Sequence, residues 1–345
     1  MALVATVPHP VQVVRSTTFY LLAPTPLDDG VAYLTVPRSL GGPAVVARIS
    51  GDRLVVQRTS GVRTLFDDGC EVAAECNAVR APVGDGVDVV YGVPGEQGGG
   101  YVARAGVNGR SRLVAGDETS SGAVLSYTAA AGMTVYASKG TIVGRVGIEP
   151  PVTLVRPSAT GGDVRGVAAT AAGLGWISRS GSRGPWYIAV RVGDALATGV
   201  TDRRPGVRLG APALADDGTI AFSRRVPLPG AKARFEIVAI APGRAERVIA
   251  ASPPVRIRDG DLLPRVAIRD TTVVYRLRDG AGGRWEAIRA TDLAAGTTRT
   301  ITRLGRRAAR LSDPAVDATR IVWSQADFVS GRFVRSRILK VRISL

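Results

Sequence analysis

Seven short runs of β-branched and small residues close on an aromatic side chain: Val31-Ala32-Tyr33, Val89-Val90-Tyr91, Thr134-Val135-Tyr136, Leu174-Gly175-Trp176, Ile220-Ala221-Phe222, Val273-Val274-Tyr275 and Ile321-Val322-Trp323. The steps between successive aromatics are 58, 45, 40, 46, 53 and 48 residues. A helical repeat does not fit, because Gly and Asp punctuate the runs and β-branched residues dominate them. Steps near 45 are the length of one four-stranded blade of a β-propeller.

A second marker keeps the same register. Ten positions after four of these aromatics stands another, in the pairs Tyr91 and Tyr101, Trp176 and Trp186, Tyr275 and Trp285, Trp323 and Phe333. In the fifth repeat the step from Phe222 to Phe235 is thirteen, and the intervening loop holds Pro227 and Pro229. Each later aromatic opens an alternating run, such as Phe235-Glu-Ile-Val-Ala-Ile and Trp285-Glu-Ala-Ile-Arg. The first set reads as second strands and the second set as third strands of successive blades. A β-sandwich of unrelated hairpins is the competing fold.

Upstream of the second strands comes a third element, clearest in Gly210-Ala-Pro-Ala-Leu-Ala-Asp-Asp-Gly-Thr-Ile-Ala-Phe-Ser. Ser312-Asp-Pro-Ala-Val-Asp-Ala-Thr-Arg-Ile-Val-Trp-Ser and Leu263-Pro-Arg-Val-Ala-Ile-Arg-Asp-Thr-Thr-Val-Val-Tyr are further copies, and Leu27-Asp-Asp-Gly-Val-Ala-Tyr keeps the turn and strand. These segments resemble the TolB/PD40 type of WD40-like propeller repeat. The resemblance covers the C-terminal half well and the N-terminal half poorly. It implies a propeller and favours a bacterial, periplasmic or secreted setting. It implies no one activity, since such repeats occur in scaffolds and in enzyme accessory domains. The Asp-Gly turn has its own reason: Gly supplies positive φ, and Asp bonds its own backbone in a tight hairpin.

The expectation is therefore an all-β chain, a single propeller over residues 1–345, with seven four-stranded blades. Six is the alternative count, because the first repeat is long and divergent. Length alone, at roughly 150 residues per domain, would suggest about two domains. After Phe333 the chain has room for a third strand of the seventh blade and not a fourth. Residues 1–22 are expected to supply that strand, through Val11-Gln-Val-Val or Thr18-Phe-Tyr-Leu-Leu, removing an open sheet edge. In the last run Arg335 and Arg337 share the apolar phase of Leu339 and Val341. A bulge near Ile338 would return both to solvent.

Charge then acquires a location. The chain carries 45 Lys plus Arg against 29 Asp plus Glu, a net of +16, and only Lys139, Lys232 and Lys340 are lysines. First-to-second turns carry Asp28, Asp29, Asp85, Asp216, Asp217, Asp270 and Asp317. The opposite face holds the second-to-third loops, with Arg179, Arg183, Arg224, Arg225, Lys232, Arg278 and Arg284. It also holds the blade connections, with Arg203, Arg204, Arg208, Arg256, Arg258, Arg303, Arg306, Arg307 and Arg310. Asp259, Asp261 and Asp279 lie there too and would pair with some of them. Arg203, Arg204, Arg224, Arg225, Arg256, Arg258, Arg306 and Arg307 are the candidate contacts for an anionic ligand or a protein, since guanidinium forks suit carboxylate and phosphate. The bland reading is that arginines decorate solvated loops.

Other chemistries are poorly supported. With one histidine and two cysteines, Cys70 and Cys76, a Ser-His-Asp triad or a multi-histidine metal site would have to be built around His9, in a Pro-His-Pro segment. The two cysteines read equally as a small disulfide loop or as separate thiols. No Gly-x-Ser-x-Gly elbow or Walker loop occurs. Asp259-Gly260-Asp261 lacks the remaining ligands of a calcium loop. No cofactor or metal is expected. Aromatics are 5% and sit at repeat positions, so Trp176, Trp186, Trp285 and Trp323 read as core and specific nucleic-acid readout is disfavoured. No run approaches the ~20 apolar residues of a membrane span, and MALVATVPHP is not a complete secretory signal. The functional expectation is a monomeric, non-catalytic binding or scaffold module. The alternative is an enzyme, a lyase or glycosidase, with carboxylates at the central channel.

Overall fold

The structure, a computed structural model, describes residues 10–40, 50–51, 53–67, 79–94, 100–106, 108–117, 126–138, 140–156, 162–180, 184–193, 195–202, 204–256 and 263–343. His9, Cys70, Cys76, Arg183, Arg203, Arg258, Asp259 and Asp261 lie outside them.

Alternation of apolar residues with tight turns dictates antiparallel hairpins, and the hairpins assemble into seven sheets. Blade one is Phe19–Leu27, Gly30–Pro37, Arg53–Arg58 and Gly61–Asp67, which establishes seven blades over six. Blade two is Val83–Gly84, Val89–Pro94, Gly100–Ala105 and Ser111–Asp117; blade three is Ser126–Ala130, Met133–Ser138, Thr141–Val146 and Val152–Val155. Blade four is Gly162–Ala169, Gly173–Ser180, Trp186–Val192 and Ala195–Thr201. Blade five begins with the pair Arg208–Leu209 and Ala213–Leu214, followed by Ile220–Leu228, Lys232–Ile240 and Arg247–Ala251. Blade six is Val266–Arg269, Thr272–Asp279, Trp285–Asp292 and Thr297–Gly305. First strands touch in the order one to seven and back to one, so the ring is complete around a channel.

Blade seven closes as the chain-end argument requires. Ala309–Leu311 and Ala315–Val316, Arg320–Val329 and Arg332–Arg342 are joined by Val11–Ser16, which pairs Val11 with Lys340 and Ser16 with Ser336. The Val11 run is the closing strand; the Phe19 run is the first strand of blade one. The expected bulge lies elsewhere. The Arg332–Arg342 strand skips at Val334, and its partner skips at Val13, opposite Ile338 and Leu339. Arg335 and Arg337 both reach Asp327, at 2.7 and 2.9 Å, with side chains 37% and 21% exposed.

Each repeat aromatic fills the gap to the preceding blade, which is why the period was visible. Tyr91 packs with Leu34 and Val56 of blade one, Tyr136 with Val90 and Val102, and Trp176 with Val135 and Ile142. Phe222 meets Ile177 and Ile188, Tyr275 meets Ile237, Trp323 meets Val274 and Ile288, and Tyr33 meets Ile338 across the closure. Central strands are covered on both faces by neighbouring blades, so strict alternation gives way to continuous burial in Ile321–Ala326. Trp285 departs from the expectation. It is 38% exposed and stacks under Arg303, whose guanidinium carbon lies 5.0 Å from the ring centroid.

Burial raises the pKa of the Tyr20, Tyr33, Tyr91, Tyr127, Tyr136 and Tyr275 phenols, Tyr127 to about 12. A phenol with a raised folded pKa binds its proton more tightly in the native state. Its contribution is complete below the unfolded value of about 10 and is lost as pH rises through the folded one. Alkaline titration followed at 295 nm should therefore show phenolate appearing late and together with loss of circular dichroism. Full ionisation by about pH 10.5 in a native chain would refute this assignment.

Candidate anion-binding face

Antiparallel order places first-to-second and third-to-fourth turns on one face and second-to-third loops with blade connections on the other. The acidic turns of the first face work for the backbone and for arginine. Asp217 accepts from the Thr219 amide at 2.8 Å, and Asp317 from the Thr319 amide at 2.8 Å and Arg320 Nε at 2.8 Å. Arg58 meets Asp29, and buried Arg104 meets both Asp85 and Asp88. Third strands supply Arg58 and Arg104, cations that the turn-by-turn reading of the sequence did not bring to this face.

On the opposite face the strands run further than expected. The fifth hairpin turns only at Gly230 and Ala231, both with positive φ of 72° and 52°, so Arg224 and Arg225 lie within Ile220–Leu228 and not in a loop. Arg179, Arg278, Arg303 and Arg310 likewise sit on strands. Arg224 is consequently interior, its side chain 8% exposed. Its Nε donates to Glu236 Oε2 at 2.6 Å, and its Nη1 donates to Glu246 and lies 3.5 Å from Asp202. Glu236 also accepts from Arg234 at 3.0 Å. Arg204, a connection residue, forks onto Asp202. The hydrogen bonds from Arg204, with the charges of Arg204 and Arg224, hold the Asp202 carboxyl below its ordinary range against the opposing effect of burial.

Blade six repeats the device. Glu286, buried, accepts from the Leu311 amide at 3.0 Å and from Arg306 Nε at 3.2 Å, with Arg276 Nη1 3.6 Å away. Arg276 Nε in turn reaches Asp313 at 2.9 Å. Glu236 and Glu286 each follow the third-strand aromatic, Phe235 and Trp285. That matched position is the sequence signal by which both buried acids could have been found.

The eight sequence-predicted contacts thus separate. Arg224 is a structural ion-pair residue, Arg204 and Arg306 are tied to Asp202 and Glu286, and Arg225 is half-buried opposite Arg208. Arg256 and Arg307 are exposed, as are Arg208 and Lys232, and none of these four meets a carboxylate among the described residues. Lys232 and Arg256 are register partners, which brings two cations side by side. Between the two short pieces that begin blade seven stands Asp313, and Arg276 occupies it. Among the described residues no three of His, Cys, Asp and Glu gather as a metal would require, and no helix is long and apolar enough to cross a membrane.

No family model and no curated protein matches this sequence. Solved structures do match. YCF48 bound to D1 peptide is 11% identical over 99% of this chain and 100% of that chain, with a TM-score of 0.51. The uncharacterized protein lmo1340 from Listeria monocytogenes EGD-e is 9% identical over 94% and 96%, also at 0.51. The WD40 domain of Toxoplasma gondii coronin is 11% identical over 98% and 88%, at 0.47. At such identities the likeness bears on the fold alone, and the ring of blades makes this chain a seven-bladed β-propeller.

Proposed function

We propose that the chain is a non-catalytic binding module that docks an anionic ligand or an acidic protein surface on the connection face of blades five to seven. The observation that carries this reading is the exposed set Arg208, Lys232, Arg256 and Arg307 on a face where the described carboxylates Asp202, Glu236, Glu246, Asp279 and Glu286 are engaged by other arginines. Such cations keep their full attraction for a partner, and convergent charge of one sign speeds its arrival. The alternative, carboxylate catalysis at the channel, needs a second free acid there. Asp313 with Arg276 on it is a weak start.

Binding of a fluorescein-labelled oligoglutamate peptide, followed by anisotropy at several salt concentrations, tests the face. Arg208→Gln, Arg256→Gln and Arg307→Gln combined should weaken binding at least tenfold and flatten its salt dependence. Undiminished affinity in the triple variant would overturn the assignment. Arg224 is unsuitable for this test, because its loss damages the fold.

A further inference from the structure

A cavity of about 110 Å³ opens between blades one and two on the turn face, with room for several water-sized groups. Val56 and Val89, buried in the packed junction of the two blades, and half-buried Leu65 form its apolar floor. Arg58, Ser60 and Arg63 bring polar groups to its wall, and Val62 lines it while 65% exposed. The strand registers explain why this junction is left open. In blades three and four the third-strand residue opposite Thr134 and Leu174, two before the repeat aromatic, is Arg145 and Arg191. Each crosses to the preceding blade, Arg145 Nη1 to the Val114 carbonyl at 2.7 Å and Arg191 Nη1 to the Leu154 carbonyl at 2.6 Å. Val114 and Leu154 are the residues that the pairing of their fourth strands skips, and the residue skipped in blade one is Leu65 of the cavity. The third-strand residue of blade two at this level is Ala105, opposite Val89. The remaining blades carry Gln57, Ile240, Thr291 and Val341 there, so alanine is the smallest side chain at this level of the ring. Where the next two junctions have a crossing arm, this one has a cavity.

The wall keeps donors in reserve. A guanidinium has five N–H groups. Among the described residues Arg58 uses one toward Asp29 and one toward the Val87 carbonyl, and Arg63 uses one toward the Asn108 carbonyl. Arg58 is fixed in place, its side chain 8% exposed. Gly109, with φ of 70°, lets Arg63 lie against the neighbouring turn, since a Cβ at Gly109 would stand 2.3 Å from Arg63 Cδ. Among the described residues no carboxylate lines the cavity. Asp29 answers the charge of Arg58 from outside the lining, whereas Arg63 meets no carboxylate among the described residues. One cation on the wall is therefore unanswered.

We infer that this cavity binds a small aliphatic monocarboxylate, with its carboxylate on Arg63 and Arg58 and its hydrocarbon body on Val56, Leu65 and Val89. The planar fork of Arg63 offers parallel donors to both carboxylate oxygens. An apolar floor with a few placed polar groups is the usual make-up of a small-ligand site, and the low dielectric of that floor strengthens the ionic contact. A single negative charge matches the single unanswered cation. A polyvalent anion would bring surplus charge onto apolar surface, where nothing solvates it. The hydrocarbon body also covers Val62, which otherwise faces water. The cavity lies on the turn face, apart from the cations of blades five to seven, so each reading can fail without the other.

Isothermal titration of the full chain with isovalerate at low ionic strength tests the cavity. Isovaleramide, with the same shape and no charge, and inorganic phosphate, with charge and no hydrocarbon, are the comparison probes. Isovalerate should bind saturably at one ligand per chain, at millimolar affinity or tighter, and each comparison probe at least tenfold more weakly. Arg63→Gln and Val62→Asp, both at exposed positions, should each weaken isovalerate binding at least tenfold. Arg63→Lys should retain part of the affinity, and Arg256→Gln with Arg307→Gln should leave it unchanged. Thermal melting of each variant separates lost binding from lost folding. Absence of saturable isovalerate binding, equal or tighter binding of either comparison probe, or full affinity in a folded Arg63→Gln protein overturns the inference.

Discussion

Arg224→Met is expected to destabilise the protein by about 3–5 kcal/mol, the range found when one partner of a buried ion pair is removed. Methionine keeps most of the side-chain volume, so the loss is electrostatic. Asp202 and Glu236, with side chains 7% and 6% exposed, would then be left inside the protein with only the half-exposed Arg204 and Arg234 to answer them. Neighbouring Arg225 cannot substitute, because its side chain alternates to the other face of the strand. By contrast Arg307→Ala, on an exposed turn, should change stability by less than about 0.5 kcal/mol. Urea unfolding followed by circular dichroism, with the slope m checked for constancy, measures both. Equal stabilities for the two variants would show that the interior network contributes little.

Removing residues 1–16 should produce the second large loss. The deleted strand covers Ile338, fully buried, with Val13 and Val14, both half-buried. Exposing these surfaces costs on the order of 3 kcal/mol by apolar area, while the strand's hydrogen bonds and its ordering entropy largely offset each other. In a chain of this size that corresponds to a fall in Tm of roughly 4 °C. The shortened protein would also carry the Arg332–Arg342 strand as a bare edge, open to pairing with another chain. Scanning calorimetry and light scattering should show the lower transition together with concentration-dependent aggregation. An unchanged midpoint and a clear solution would mean that six complete blades and a three-stranded seventh suffice.

The ring was legible in the sequence because one residue per blade does one mechanical job. Trp176, Phe222, Tyr275 and Trp323 each plug the gap to the preceding blade, so a packing requirement became a spacing. Closure was legible too, since the C-terminal run after Phe333 was a strand short. Hairpin length was not: nothing in Arg224-Arg225 announces that the strand continues to Leu228, and a loop reading put both residues in solvent. The buried glutamates were overlooked for a related reason. A charged residue inside a two-sided blade breaks the expected pattern, and only its repetition after Phe235 and Trp285 marks it as designed. Trp285 shows the converse error, a repeat position whose outward direction places it under Arg303 at the surface.

The pairing of Val11–Ser16 with Arg332–Arg342 also sets a timetable. Synthesis of the partner strand begins 316 residues after Ser16, which at roughly 5–20 residues per second is a delay of about 16–63 s. Throughout that interval the early blades can form as hairpins and stack, but the first blade has no neighbour on one side and Tyr33 has no Ile338 to meet. The nascent chain is therefore an open arc, and its final step is a meeting of two ends rather than the growth of another blade. Whatever protects those ends in the cell has to act during translation.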